Sequence, residues 1–357
     1  MENLKVLGFN KWFEDKKDYN MLNSHKLARV IIVNKNNYVV SDGKREINAG
    51  LTGKFMFNSE SALDYPAVGD WVYIQLFDDD TLAVIHEIFP RKSVLKRKTS
   101  GKNIDYQLIA ANIDTAIIMQ ALDNNFNLRR LERYMVMVNE SGIKPVLFLS
   151  KTDLLEPHEI ESRIKEINNI FPGIKIEAFS NNRLTDIENI KTHLTPCETF
   201  CLLGSSGVGK STLINNLVHQ NLFKTQQIRE KDGRGKHTTT HRELILLDNG
   251  AIIIDNPGMR ELGVISVEAG LNDTFAEITA LADKCLFDDC THTIEKGCAV
   301  LKALEDGAIE KDRYGNFIKM YKESLYNEMS YFEKRQKEKK FGKYIHSVMK
   351  HKKDKRK

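Results

Sequence analysis

No run of apolar residues in this sequence approaches the roughly 20 that a membrane-crossing helix requires. The opening Met1-Glu2-Asn3-Leu4-Lys5 lacks the apolar core of a signal peptide. A cytoplasmic protein is therefore expected. A disulfide framework is missing as well. The five cysteines, Cys197, Cys201, Cys285, Cys290 and Cys298, are an odd number in a long chain without an export signal. Internal repeats are not visible. What is present is enough chain for more than one core: 357 residues point to two or three domains. Charge is near balance at +4, but unevenly placed. Tyr331 to Lys357 carries 12 Lys or Arg against 3 Asp or Glu, so a tail of net +9 follows a body of net −5. Such a tail suits a polyanionic partner, or is simply a solvated terminus.

The most specific stretch is Gly204-Ser205-Ser206-Gly207-Val208-Gly209-Lys210-Ser211, a G-x-x-x-x-G-K-S phosphate loop. Thr199 to Leu203 before it reads as a buried strand. Ser211-Thr212-Leu213-Ile214-Asn215-Asn216-Leu217 after it reads as a helix with an apolar stripe at Leu213, Ile214 and Leu217. The glycines let successive backbone N–H groups turn toward phosphates, with the helix N-terminus behind them. Lys210 then faces the β- and γ-phosphates, and the Ser211 hydroxyl faces Mg²⁺.

Residues from about Leu27 to Glu87 read as short strands parted by turns, which suggests a small β-barrel of OB type. Arg91-Lys92-Ser93-Val94-Leu95-Lys96-Arg97-Lys98 is a basic run at the expected boundary, or a solvated linker. From Asn112 strands alternate with helices: Thr115 to Met119, Pro145 to Leu149, Ile174 to Ala178, then the phosphate-loop strand. That succession implies a parallel sheet with helices on both faces. Asn249-Gly250 between two apolar runs signals a hairpin. Beyond about Ile265 the sequence reads as mainly helical.

Three strand ends add chemistry. Asp255-Asn256-Pro257-Gly258 is a D-x-x-G: its Asp reaches Mg²⁺ through water and its Gly N–H meets the γ-phosphate. Ser150-Lys151-Thr152-Asp153 resembles the N-K-x-D motif of GTPases, in which one carboxylate accepts guanine N1–H and N2–H₂ together while the Lys stem packs on the base. Ser180-Asn181 follows the next strand, where a loop contacts guanine O6. The base-reading loops precede the phosphate loop, the reverse of the usual order, so the domain reads as circularly permuted. The sequence Cys285-x₄-Cys290-x-His292-x₅-Cys298 offers three thiolates and an imidazole, a closed set suited to one structural Zn²⁺. Cys201 reads as core packing and Cys197 as neutral.

This order, together with Gly235-Lys236-His237-Thr238-Thr239-Thr240 between the phosphate loop and Asp255, resembles the bacterial RsgA (YjeQ/YloQ) family over almost the whole chain. The resemblance implies an OB-type barrel over 1–97, a circularly permuted α/β GTPase domain over 98–264, and a zinc-binding, mainly helical domain with its basic tail over 265–357. It implies a monomeric GTPase that binds GTP, GDP and the 30S subunit with its rRNA, acting late in subunit assembly. Met259 stands where many GTPases carry the water-orienting Gln, and the resemblance gives that role to His237. A phosphate-contacting or solvent-facing His237 is the alternative. One of Thr238, Thr239 and Thr240 is expected to ligate Mg²⁺, with Thr239 taken as the candidate. Ser150 departs from the family's Asn, whose side chain braces the phosphate loop and the base; the shorter Ser is expected to weaken guanine binding, while Asp153 still sets its sense. Two other readings compete: an RNA-binding scaffold that holds nucleotide without turning it over, and a small-molecule kinase. The kinase has no use for Asp153, Ser180 and a D-x-x-G.

Overall fold

A computed structural model describes residues 2–34, 37–98, 106–218, 242–255, 267–329 and 333. The first part is a barrel: β1 (Lys26–Val33), β2 (Tyr38–Ser41), β3 (Glu46–Leu51), β4 (Trp71–Phe77) and β5 (Leu82–Ile88). They run in the order β1-β2-β3-β5-β4, and β4 pairs antiparallel with β1 to close the ring. β3 and β5 are parallel and the other pairs antiparallel, with the helix Gly53–Asn58 between β3 and β4. Alternate residues fill the interior, among them Val30, Val40, Ile47, Val72 and Ile85. Short helical turns before β1 lay Leu4, Leu7, Phe9 and Phe13 against Trp71, Tyr73 and Phe89 on the outside of the barrel.

The basic run expected at the boundary is built into the fold. Arg91 donates to both carboxylate oxygens of the fully buried Asp70, and Val94–Lys98 is β6, paired antiparallel with β7 (Tyr106–Ala111).

A second set of strands forms the other half of the sheet: β8 (Thr115–Ala121), β9 (Lys144–Ser150), β10 (Ile176–Ala178), β11 (Thr199–Leu203), β12 (Arg242–Leu246) and β13 (Ile252–Asp255). The order is β10-β9-β8-β11-β13-β12, parallel except for β12. Every residue of β8 and β11 is buried, as strands covered on both faces must be. One face carries the helices Leu128–Glu140 and Pro157–Ile170, through Leu131, Tyr134 and Ile167. The opposite face carries Leu184–His193 and Lys210–Val218, through Ile187, Ile190, Leu213 and Ile214.

Barrel and sheet are continuous. β12 pairs with β1 at Ile32↔Glu243 and Val33↔Arg242, so among the described residues eleven strands form one ladder. Arg29, buried beneath this junction, donates to the carbonyls of Gly69, Leu7 and Asn112, and its guanidinium lies over Trp71. Burial lowers its pKa to about 10, partly offset by the charges of Asp114 and Asp70.

Beyond residue 266 the helices Glu268–Thr274, Ala276–Ala282, Ala299–Glu305 and Lys311–Glu328 pack around Phe275, Ile278, Val300 and Phe317. They dock on the helix Leu128–Glu140. Glu132, fully buried on that helix, accepts from Arg313 and Asn316, and Arg133 meets both oxygens of Glu323. Gly270 approaches so closely that a Cβ there would lie 2.1 Å from the Val136 carbonyl.

Candidate functional site

The C-terminal ends of β8, β9, β10, β11 and β13 point the same way, which is where parallel sheets place ligands. Each expected loop leaves one of these ends. The phosphate loop follows β11. Gly204, Gly207 and Gly209 have φ of 151°, 81° and 94°, and a Cβ at Gly204 would lie 2.5 Å from the Met119 carbonyl. The loop curls around its own lysine: Lys210 Nζ donates to the carbonyls of Gly204 (2.7 Å) and Ser205 (2.8 Å). Ser206, Val208, Ser211 and Thr212 belong to this loop and the first turn of the helix it opens.

Ser150 is the last residue of β9, and its buried hydroxyl donates to the Val208 carbonyl at 2.7 Å. The shorter residue thus still reaches the phosphate loop. Lys151 adopts φ 65°, which turns the chain sharply into Thr152 and Asp153. Asp153 Oδ1 accepts from the Ser180 hydroxyl (2.6 Å) and Oδ2 from Asn182 Nδ2 (3.1 Å). These hydrogen bonds, Ser180 first, hold its carboxyl below the usual carboxylate range, so it is ionised. It stays exposed, open to a ligand. Asn181 Nδ2 donates to the Gly209 carbonyl at 3.3 Å, and a Cβ on Gly209 would strike that amide at 2.6 Å. The loops after β9, β10 and β11 are thus hydrogen-bonded to one another. Asp255 ends β13, buried, with Ile254 in register with Cys201 of β11.

Several residues here escaped sequence reading. The loop leaving β8 brings Asp123 to Lys151 Nζ (2.7 Å) and Asn125 Nδ2 to the Ser205 hydroxyl (3.2 Å). Asn182 and Asp186, whose carboxylate accepts from the Ser180 N–H, complete the base-side loop. The available signal was positional: β8 lies between β9 and β11, so its C-terminal loop emerges between their motifs. His237, Thr238, Thr239, Thr240, Gly258 and Met259 lie outside the described residues, as does most of the basic tail.

The second cluster is Cys285, Cys290, His292 and Cys298, whose ligand atoms all lie within 4.8 Å of one another. The separations are 3.8 Å for Cys285 Sγ to Cys298 Sγ, 3.6 Å for Cys285 Sγ to His292 Nδ1 and 3.5 Å for Cys298 Sγ to His292 Nδ1. A tetrahedron with usual zinc bond lengths has edges of about 3.8 Å between thiolates and about 3.6 Å from thiolate to imidazole. The set fits a tetrahedral metal, with Nδ1 as the imidazole donor. Local chemistry supports it. Burial lowers the His292 pKa against the opposing charge of Glu295, which keeps the ring neutral. Cys298 caps the helix Ala299–Glu305 and accepts from the Leu301 N–H. Glu295 ties down the loop through the N–H groups of Thr291, Thr293 and Ile294. Cys201 is fully buried in β11 and Cys197 is exposed. Among the described residues no helix is long and apolar enough to cross a membrane.

Comparison with known proteins places this arrangement. The model of the RsgA GTPase family matches residues 88–265. "Small ribosomal subunit biogenesis GTPase RsgA 2" of Listeria monocytogenes is 41% identical over 325 residues, covering 91% of this chain and 90% of the relative. The protein of the same name from Vibrio parahaemolyticus is 37% identical over 347 residues, covering 97% and 92%. Among solved structures, YjeQ from Thermotoga maritima superposes with a TM-score of 0.61 at 25% identity, covering 84% of this chain and 99% of that one. YloQ, described as a circularly permuted GTPase, shares the fold with a TM-score of 0.59, covering 84% and 94%. With its loops in permuted order on one sheet edge and relatives of this identity along nearly its full length, the chain belongs to the RsgA GTPase family.

Proposed function

We propose that this protein binds GTP in the hollow between the Asp153 and Lys210 loops, hydrolyses it to GDP and phosphate, and acts in this way on the small (30S) ribosomal subunit during its late maturation. One observation carries the reading: the loop that would read the base and the loop that would hold the phosphates are joined by Ser150–Val208 and Asn181–Gly209 hydrogen bonds. A base and a triphosphate belong to one molecule, and this frame keeps their two sites at a constant distance.

In this reading the ionised Asp153 accepts from guanine N1–H and N2–H₂, a pair adenine does not offer. The stem of Lys151 lies along the base, and Thr152, Ser180 and Asn181 complete the pocket. Gly204 to Gly209 direct N–H groups at the phosphates, and Lys210 exchanges its carbonyl partners for phosphate oxygens. Ser211, Thr239 and, through water, Asp255 hold Mg²⁺, which neutralises phosphate charge. Gly258 contacts the γ-phosphate, and His237 orients the attacking water in place of the Gln that Met259 replaces. Cys285, Cys290, His292 and Cys298 hold one structural Zn²⁺ with no position open for catalysis. The ribosomal assignment rests on similarity to relatives named as small ribosomal subunit biogenesis GTPases. Contact with rRNA through the basic tail, a monomeric state, a cytoplasmic location and a division at 1–97, 98–264 and 265–357 belong to the same proposal.

The test is GTP turnover with and without purified 30S subunits. A large stimulation is expected, lost in His237→Ala. Equal turnover in both conditions would favour a nucleotide-holding RNA scaffold instead.

A further inference from the structure

The loop leaving β8 matches no nucleotide-binding motif, yet it stands between the two that do. Asp123 Oδ2 accepts from Lys151 Nζ at 2.7 Å, with both side chains about three-quarters buried. Asp123 Oδ1 accepts from the Asn125 N–H at 2.9 Å. Burial opposes ionisation of Asp123, but the hydrogen bonds from Lys151 and the Asn125 N–H outweigh it, so the carboxyl pKa lies below its usual range. Asn125 in turn donates to Ser205 of the phosphate loop and accepts from Arg130 at 3.0 Å.

The consequence concerns the lysine stem. A lysine side chain on a turn is otherwise among the most mobile groups in a protein. Here the left-handed backbone at Lys151 (φ 65°) sets the direction in which the stem leaves the chain, and Asp123 fixes its far end. A four-carbon chain held at both ends is a rigid apolar surface. We propose that Asp123 is a positioning residue of the nucleotide site, which anchors the Lys151 ammonium so that the stem forms a preformed floor for the guanine ring. This inference rests on the guanine-pocket reading given above. A base-stacking surface contributes equally to ground state and transition state. Asp123 therefore acts on nucleotide affinity and not on the chemical step.

Three full-length variants test this: Asp123→Asn, Lys151→Met and the double variant. Affinity for GDP and for a non-hydrolysable GTP analogue is measured by calorimetry, and GTP turnover is followed with 30S subunits. Asp123→Asn is expected to weaken both nucleotides alike by roughly 5–30-fold, the range set by freeing one lysine side chain. KM should rise in step, and kcat at saturating GTP should stay within twofold. Asp123→Glu should recover part of the loss. In the Lys151→Met background, Asp123→Asn should add less than twofold, because the pair is already broken. Should Asp123→Asn melt several degrees lower, Lys151→Met carries the test, since it breaks the same pair from the other side and is expected to lose the same affinity. Unchanged affinity in either single variant, a fall in kcat with KM unmoved, or independent additive losses would overturn the inference. Asp153→Asn, run in parallel, separates this failure from failure of the pocket reading. Its amide can donate to the C2 oxygen of xanthine but repels guanine N2–H₂, so preference should move from GDP to xanthosine diphosphate. If that variant binds GDP unchanged, the pocket reading itself is wrong. If it loses GDP while Asp123→Asn does not, only the role of Asp123 falls.

Discussion

Ser150 offers the sharpest test of how the two halves of the nucleotide pocket are held together. Its hydroxyl is wholly buried and donates to the Val208 carbonyl at 2.7 Å. Ser150→Ala removes the donor and leaves a buried carbonyl without it, at a cost of about 1–3 kcal/mol. That cost divides between overall stability and the spacing of the loops. The Asn181–Gly209 bond remains, but at 3.3 Å it is the longer of the two ties. If the phosphate loop then shifts in the free protein, nucleotide binding must restore its position. A share of about 1–2 kcal/mol in binding corresponds to a roughly 5–30-fold weaker Kd for GDP. Ser150→Asn restores the residue usual in the family, but at a position with no exposed surface. Inserting the larger amide should cost about 1–3 kcal/mol through overpacking, so it is expected to weaken binding as well. The assay is calorimetric titration of GDP, with thermal melting to confirm the fold and ATP as competitor. A Ser150→Ala protein that melts normally and binds GDP within twofold of the parent would refute the bracing argument.

Other outcomes follow from the same geometry. Chelation, or Cys290→Ser, should release one Zn²⁺ per chain and unfold the segment around 285–298, because metal binding to such sites contributes on the order of 10 kcal/mol; metal analysis with proteolysis checks both. Glu132→Ala removes a buried acceptor of Arg313, whose side chain is itself almost fully buried. Breaking a buried pair in this way costs about 3–5 kcal/mol, and the C-terminal helices should become protease-sensitive while GDP affinity is kept. Asp153 has a depressed pKa, so the carboxylate proposed to read guanine persists as pH falls, and what it contributes is lost only as pH drops through that lowered value. Guanine affinity should therefore be flat from pH 8 down to about pH 5; a decline centred near pH 6 to 7 would show that another group governs binding.

Local chemistry made part of this molecule legible. The strand Thr199–Leu203 is buried throughout because it is covered on both faces, and the glycine after it, Gly204, is needed where a Cβ would lie 2.5 Å from the Met119 carbonyl of the neighbouring strand. Both are properties of a few adjacent residues. The cysteine cluster was readable for the same reason, since its four ligands fall within a short span and their geometry follows from the metal they suit. The turns before β1 were not readable. Helices of four or five residues have no stability of their own, and these form only because Phe9 and Phe13 find Trp71, their ring centroids 4.8 and 6.0 Å from it. The partner of Arg91 was not readable for a related reason. In sequence it belongs to a basic run, and only the fold supplies the buried Asp70 that turns it into a structural cation.

Asp123 shows why the hidden part of a site can matter as much as the motif. Its partner Lys151 was evident, but nothing in the residues around Asp123 distinguishes it from a surface turn. Permutation sharpens the point. Cutting and rejoining the chain leaves each motif intact while changing which segments precede it, so motif order carries no information about neighbours in space. Strand order does: β8 between β9 and β11 compels its loop to meet both the base-side and the phosphate-side residues. The helix that starts just after this loop, Leu128–Glu140, carries Glu132, Arg133 and Glu140, which hold the C-terminal helices. One helix therefore has the proposed nucleotide pocket at its N-terminal end and the helices that carry the Cys285, Cys290, His292 and Cys298 cluster along its side.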